Sequence, residues 1–150
     1  MKAFPDTSFL GALYVRQSTS EQAIAWLEPQ TAPLTVSSLL LYEFRQSVQF
    51  QIFRHERDRR QGYARAQGQA ALAALQSDLK AGVLQLAAVD WAEVHQQAER
   101  LALQHTRRHG HRSFDILHVA TALHLGVIDF LTFDANQQPL AEAEGLRVPV

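Results

Sequence analysis

Residues 113–134, SFDILHVATALHLGVIDFLTFD, decide the fold class of this chain. Apolar residues at helical spacing predict a helix that Ser113 caps and that ends at Gly126, since glycine commonly follows a helix. The segment IDFLTF at residues 128–133, which is mostly apolar, then predicts a strand. A helix that leads directly into a buried strand is a building unit of parallel α/β sheets.

The same alternation extends outward over the rest of the chain. Further strands are predicted at residues 3–5, 33–36, 83–89 and 146–150, and further helices at 7–15, 21–28, 38–60, 63–80, 91–109 and 139–144. The predicted helix N-caps are Ser18 or Ser20, Ser37 or Ser38, and Asp90. This pattern predicts an α/β fold with a mainly parallel sheet, and the lack of a linker or repeat predicts a single domain over residues 1–150.

The composition excludes several classes of function. Among 150 residues there is no cysteine, which rules out disulfides, thiolate metal sites and thiol nucleophiles. The net charge of −1 gives no overall attraction to nucleic acid, so any such binding needs a local basic patch. No apolar run approaches the ~20 residues that span a bilayer, and no secretory signal is evident. We expect a cytoplasmic protein that does not bind membranes.

Four acidic residues stand where strands end or helices begin: Asp6, Glu43, Asp115 and Asp134. Each also has an ordinary structural explanation. Asp6 would cap the helix after it, Glu43 would be a boundary residue of its helix, Asp115 would favour a helix N-terminus, and Asp134 would start a turn.

Considered together, the four positions indicate a site. The carboxyl ends of parallel strands and the starts of the helices that follow them face the same edge of a sheet, where α/β proteins bind ligands. Clustered carboxylates repel one another unless cations neutralise them or some are protonated. Carboxylate oxygens are hard ligands that suit Mg²⁺ or Mn²⁺, and such ions support phosphodiester cleavage.

The segments around these acids resemble the PIN-domain family, and most closely its VapC-type toxins. The resemblance extends from Lys2 to Val148, and its two most specific motifs are the third and fourth. The matching segments are FPDTSFL (4–10), LYEF (41–44), SFDILHVATAL (113–123), and FLTFD (130–134) followed by GLRV (145–148).

The resemblance implies a five-stranded parallel sheet flanked by helices and RNA cleavage by water that Mg²⁺ or Mn²⁺ activates. By position, Asp6, Glu43, Asp115 and Asp134 are the implied metal ligands and catalytic residues. Ser8 and Thr132 are similar to hydroxyl residues that support the acidic site. An antitoxin protein and a second copy of the chain are the implied partners. Some members have a further acidic residue where this chain has Asn136. This difference concerns the binding of a second metal ion and not of the first.

Basic residues precede the third acidic motif in the segment RRHGHR, residues 107–112. Arg107, Arg108 and Arg112 are candidates for contact with RNA phosphates, with an ordinary surface loop as the alternative. His118 lies one turn after Asp115 and is expected to be packed or hydrogen-bonded rather than a general base.

Three other functions are alternatives to this interpretation. One is a PIN-domain nuclease of RNA processing that has no antitoxin. Another is a haloacid-dehalogenase-type phosphotransferase, which needs a second aspartate two positions after the first, where this chain has Ser8. The third is a catalytically silent PIN-like binding module, against which the complete set of four acidic positions argues.

Overall fold

The computed structural model describes residues 2–150, and it confirms the predicted α/β class. Met1, which the predicted domain included, lies outside the described residues. The elements are β1 (Ala3–Pro5), α1 (Thr7–Tyr14), α2 (Ser20–Leu27), β2 (Leu34–Val36), α3 (Ser38–Arg57), α4 (Arg65–Ala81), β3 (Leu84–Leu86), α5 (Trp91–Leu101), a π-helical turn (Ala102–Thr106), α6 (Arg107–His109), α7 (Ser113–His124), β4 (Asp129–Leu131) and α8 (Gln137–Ala143). None of the helices described has both the length and the apolar character that crossing a membrane requires.

The strands form two parallel pairs that lie side by side. β1 pairs with β4, with Phe4 opposite Phe130, and β2 pairs with β3, with Thr35 opposite Gln85. β1 also lies beside β2. The order across the layer is therefore β3-β2-β1-β4, so that β1, the first strand in sequence, lies near the centre.

The prediction of five strands was wrong. The described chain has four, and residues 146–150 contribute only one parallel bridge, between Arg147 and Asp129. Two hydrogen bonds form this bridge: Arg147 N donates to Ile128 O at 2.9 Å, and Phe130 N donates to Arg147 O at 2.8 Å. Pro149 follows two residues later and has no N–H to donate, so it cannot extend the ladder as a donor.

Side-chain caps explain several helix starts and correct others. Ser37 accepts a hydrogen bond from Leu40 N and Asp90 accepts from Ala92 N and Glu93 N, as predicted. Thr19, rather than Ser18 or Ser20, occupies the N-cap position of α2. Arg112, rather than Ser113, occupies that of α7. Neither Thr19 nor Arg112 makes a side-chain capping bond, so these two helices begin without the local signal on which the predictions relied.

The core includes the buried apolar side chains of α1, α3 and α7 together with those of the strands. The row predicted on the long helix, Leu40, Phe44, Val48 and Ile52, is buried on α3 as expected. The chain then turns back into α4 through Gly62, whose φ is +57°. A Cβ at this position would lie 2.0 Å from the carbonyl oxygen of Gln51, so the turn requires glycine.

Glu144 ties the end of α8 to α5 and the π-helical turn. Its carboxylate accepts from Arg100 Nη2 at 2.8 Å and pairs with His105 Nε2 at 2.8 Å. The hydrogen bond from Arg100 is the main cause that lowers the pKa of Glu144, and burial partly opposes it. A carboxyl with a lowered pKa in the folded state stabilises the fold at pH above its unfolded value, and that contribution is lost as pH falls through the folded value.

Glu144→Gln is therefore expected to reduce the free energy of unfolding by about 1 kcal/mol at neutral pH. The difference from wild type should shrink in acid, where both proteins carry an uncharged side chain. Urea unfolding at neutral and acidic pH measures it. A loss of equal size at both pH values would contradict the ionic origin of this stabilisation.

Candidate functional site

Asp6 follows β1 directly, and its side chain is fully buried. Oδ1 accepts hydrogen bonds from Phe9 N at 3.0 Å, which caps α1, and from Ser8 Oγ at 2.6 Å. Oδ2 accepts from Thr132 Oγ1 at 2.6 Å. Burial raises the pKa of Asp6, and the hydrogen bonds from Ser8 and Thr132 oppose this rise. Both hydroxyl residues singled out in the sequence thus contact this carboxylate.

Gln137, in the first turn of α8, is a further partner of Asp6 that the sequence analysis missed. It is 4% exposed, and its Nε2 donates to Asp6 Oδ2 at 2.7 Å. Its neighbour Gln138 is exposed and bonds Glu142 instead. The two adjacent glutamines have identical chemistry, so only the rotation of α8 determines which one enters the site.

Asp134 follows β4 and begins the turn into α8. Its Oδ1 accepts from Asn136 N at 2.7 Å and from Gln137 N at 3.1 Å. Its backbone N donates to Thr132 Oγ1 at 2.9 Å, and the same hydroxyl donates to Asp6. Thr132 thus links the segments that follow β1 and β4.

Arg112 joins Asp134 to Asp115. Its Nε donates to Asp115 Oδ2 at 3.0 Å, and its Nη2 lies 3.6 Å from Asp134 Oδ2. Asp115 is buried, whereas the Arg112 side chain is 76% exposed. The hydrogen bond and charge of Asp115, together with the charges of Asp134 and Glu43, raise the pKa of Arg112 despite some burial.

Glu43 enters the same neighbourhood from α3. Its Oε2 accepts hydrogen bonds from Thr7 Oγ1 and from His118 Nε2. Burial would raise the pKa of Glu43, but the hydrogen bond and charge of His118, followed by Thr7, lower it on balance. His118 is 1% exposed and lies one turn after Asp115 on α7, which confirms the expectation of a packed, hydrogen-bonded histidine.

Contacts through Thr132 and Arg112 connect Asp6, Asp134 and Asp115 near the carboxyl ends of β1 and β4, whereas Glu43 contacts Thr7, next to Asp6 in the chain, and His118, one turn after Asp115. Within residues 2–150, however, no three Asp, Glu or His side chains form a group that could hold a metal ion. The donor set nevertheless fits Mg²⁺ or Mn²⁺ in its chemistry, since carboxylates supply hard anionic oxygens. Asp115 and Asp134 already share one positive charge, that of Arg112. A divalent ion would require these side chains to rearrange, beginning with Arg112.

The three arginine candidates lie in different surroundings. Arg112 contacts the acidic residues, whereas Arg107 and Arg108 line an open groove of about 750 Å³ beside the π-helical turn. In the described part of the chain, neither of these two contacts any of the four carboxylates. A second groove of about 610 Å³ is lined by Thr7 and Ser8, which follow Asp6 in the chain, and by Phe44, which follows Glu43, but by none of the four carboxylates.

Fold and site together define a parallel α/β protein with acidic residues near the carboxyl ends of β1 and β4. The family model of the PIN domain matches residues 3–143, and the chain belongs to the PIN-domain family. The resemblance drawn from the four sequence motifs is thereby confirmed. A comparison with curated proteins found no match.

Solved structures with a similar fold include three that align over nearly the whole chain. VapC20 of Mycobacterium tuberculosis, described as a toxin that cleaves the sarcin–ricin loop, has a TM-score of 0.69 and 20% identity over 97% of both chains. PAE2754 of Pyrobaculum aerophilum has a TM-score of 0.63 and 16% identity over 99% of this chain and 89% of its own. FitAcB of Neisseria gonorrhoeae has a TM-score of 0.60 and 18% identity over 97% and 95%. At these identities the likeness concerns the fold.

Proposed function

We propose that this chain is an endoribonuclease that depends on Mg²⁺ or Mn²⁺ and serves as the toxin of a type II toxin–antitoxin pair. One observation carries the proposal: in a PIN-domain fold, contacts through Thr132 and Arg112 link Asp6, Asp134 and Asp115 near the carboxyl ends of β1 and β4, and Glu43 pairs with His118, one turn after Asp115 on α7. In parallel α/β proteins, that edge of the sheet is where ligands bind.

Asp6, Glu43, Asp115 and Asp134 would hold the ion. When bound, it would supply activation of water and stabilisation of charge at the phosphodiester. The remaining contacts keep the carboxylates in place. Ser8, Thr132 and Gln137 orient Asp6, and Thr7 and His118 orient Glu43.

RNA is the proposed substrate, and the likeness to a toxin described as cleaving the sarcin–ricin loop supports this class. Because the net charge is −1, attraction to phosphates must be local. Arg107 and Arg108 in their groove and Arg112 at the acidic centre are the proposed contacts. The groove lined by Thr7, Ser8 and Phe44, residues that follow Asp6 and Glu43 in the chain, is the proposed path of the RNA strand.

The antitoxin partner and a homodimer are proposed from the VapC-type resemblance. The main alternative is a PIN-domain nuclease of RNA processing that has no antitoxin. Suppression of cleavage by the protein encoded next to this gene would identify a toxin. Full cleavage in the presence of every neighbouring gene product would favour the alternative.

Removal of divalent ions is expected to stop RNA cleavage by the purified protein. The test compares labelled RNA, and DNA of the same sequence, in Mg²⁺, in Mn²⁺, in EDTA, and in EDTA followed by excess Mg²⁺. We expect RNA cleavage only with metal and its recovery on addition of excess Mg²⁺. Undiminished cleavage in EDTA would refute metal dependence, and no cleavage of any RNA by the metal-loaded protein would favour the silent binding module.

A further inference from the structure

Arg112 places a positive charge among the proposed metal ligands. The residue stands at the N-cap position of α7 in extended backbone, with φ −81° and ψ 157°. From there its guanidinium contacts Oδ2 of both Asp115 and Asp134. The two carboxylates come from different elements, α7 and the segment after β4, so a single side chain connects them.

The two oxygens that Arg112 contacts belong to the carboxylates proposed to bind a divalent ion. A guanidinium and a divalent cation cannot both make close contact with the same Oδ2 atoms from the same side. Like charges also repel, so an ion next to an undisplaced Arg112 would be bound less tightly. The metal-free arrangement and the metal-bound arrangement therefore compete.

The competition can be resolved by movement of this side chain. Arg112 is 76% exposed, and its charged group lies on a long, flexible stem. The guanidinium side of both ion pairs is exposed and the contact with Asp134 is long, at 3.6 Å, so the rupture of these pairs costs less than ligation of a divalent ion by several carboxylates provides. The backbone of Arg112 keeps its place because its carbonyl oxygen accepts from Ile116 N at 3.2 Å in the first turn of α7.

We propose that Arg112 is a resident counter-cation that holds Asp115 and Asp134 together in the metal-free protein and is displaced when a divalent ion binds. This inference rests on the proposed function. Displacement would leave the guanidinium at the mouth of the site with its donors free. Arginine donors match phosphate oxygens well, so metal binding would release Arg112 for contact with RNA.

The test is the affinity for Mn²⁺, measured without substrate by the electron paramagnetic resonance signal of the free ion. Arg112→Gln is expected to bind Mn²⁺ about three- to tenfold more tightly than wild type, because the ion no longer has to break two ion pairs. Arg112→Lys keeps the charge and should remain close to wild type. The increase in Mn²⁺ affinity caused by Arg112→Gln should be smaller at high salt, where exposed charges are screened.

Arg65→Gln is the matched control. Arg65 is also exposed and paired with a carboxylate, Glu56, at 2.6 Å. Glu56 lies 13 residues after Glu43 on α3, about 20 Å along the helix axis, so Arg65→Gln should leave Mn²⁺ affinity unchanged. A second control, Asp115→Asn, should weaken Mn²⁺ binding in both the wild-type and the Arg112→Gln background. Thermal melting verifies that each variant is folded.

Equal or weaker Mn²⁺ binding by folded Arg112→Gln would overturn the counter-cation role and make Arg112 a residue that positions the ligands. That result would leave the proposed nuclease intact. Absence of Mn²⁺ binding by wild type and every variant would instead refute the proposed metal site, and the inference with it.

Discussion

Asp115→Asn is expected to lose RNA cleavage almost completely. Asparagine has the shape of aspartate but replaces an anionic oxygen with an amide that binds Mg²⁺ far more weakly, and Asp115 is 5% exposed, so water cannot easily supply another ligand. Loss of a residue that only hydrogen-bonds to a metal ligand typically lowers activity by about 10- to 100-fold. Loss of a ligand itself should exceed that range, and kcat/KM for RNA in Mg²⁺ measures it.

Asp129→Asn provides the matched control for this experiment. Asp129 is 4% exposed and accepts from Arg147 Nε at 2.7 Å, so it too is a buried aspartate paired with an arginine. It lies at the start of β4, at the opposite end of the strand from Asp134. The variant should lose stability but cleave RNA normally once folded. If Asp115→Asn cleaved as fast as wild type after rigorous purification, the assignment of the acidic centre as the active site would be wrong.

Phe9→Ala is expected to reduce the free energy of unfolding by about 3–5 kcal/mol. Phe9 is fully buried on α1, and its ring lies 5.8 Å from the rings of both Trp26 and Phe133. Truncation removes these contacts and leaves a cavity between α1, α2 and the segment after β4. Because Phe133 precedes Asp134, we also expect weaker Mn²⁺ binding in this variant.

Urea unfolding of Phe9→Ala beside Phe53→Ala tests the effect. Phe53 undergoes the same chemical change, but its residue is 44% exposed on α3, where it stacks on Phe50 and contacts the Arg57 guanidinium. Phe53→Ala should therefore reduce the free energy of unfolding by about 1 kcal/mol or less. Similar losses in the two variants would contradict the packing described for Phe9.

Local sequence signals predicted the elements better than their ends. Ser37 and Asp90 cap α3 and α5 because the capping side chain and its backbone partner are at most three residues apart. Two strands are clearly shorter than predicted: β3 is limited to Leu84–Leu86 within the predicted 83–89, and β4 to Asp129–Leu131 within the predicted 128–133. Apolarity predicts burial, whereas a strand also needs a hydrogen-bonded neighbour, which tertiary structure provides.

The candidate site shows the same division. Asp6, Glu43, Asp115 and Asp134 were identified because carboxylates within apolar sequence need an explanation. Their partners Thr7 and Gln137 carried no such signal, since threonine and glutamine are ordinary at helix surfaces. The dual contact of Arg112 was equally hidden, because Asp134 lies 22 positions further along the chain.

The sequence by itself determined the α/β class, the acidic residues Asp6 after β1 and Asp134 after β4, and the row of buried apolar residues on α3. Each of these features depends on the spacing of residues that are close in the chain. Only the tertiary structure decided that there are four strands, that Gln137 rather than Gln138 contacts Asp6, and that Arg112 links Asp115 to Asp134. These features join segments that are distant in the chain. Their geometry depends on how helices and strands pack, and no local pattern specifies it.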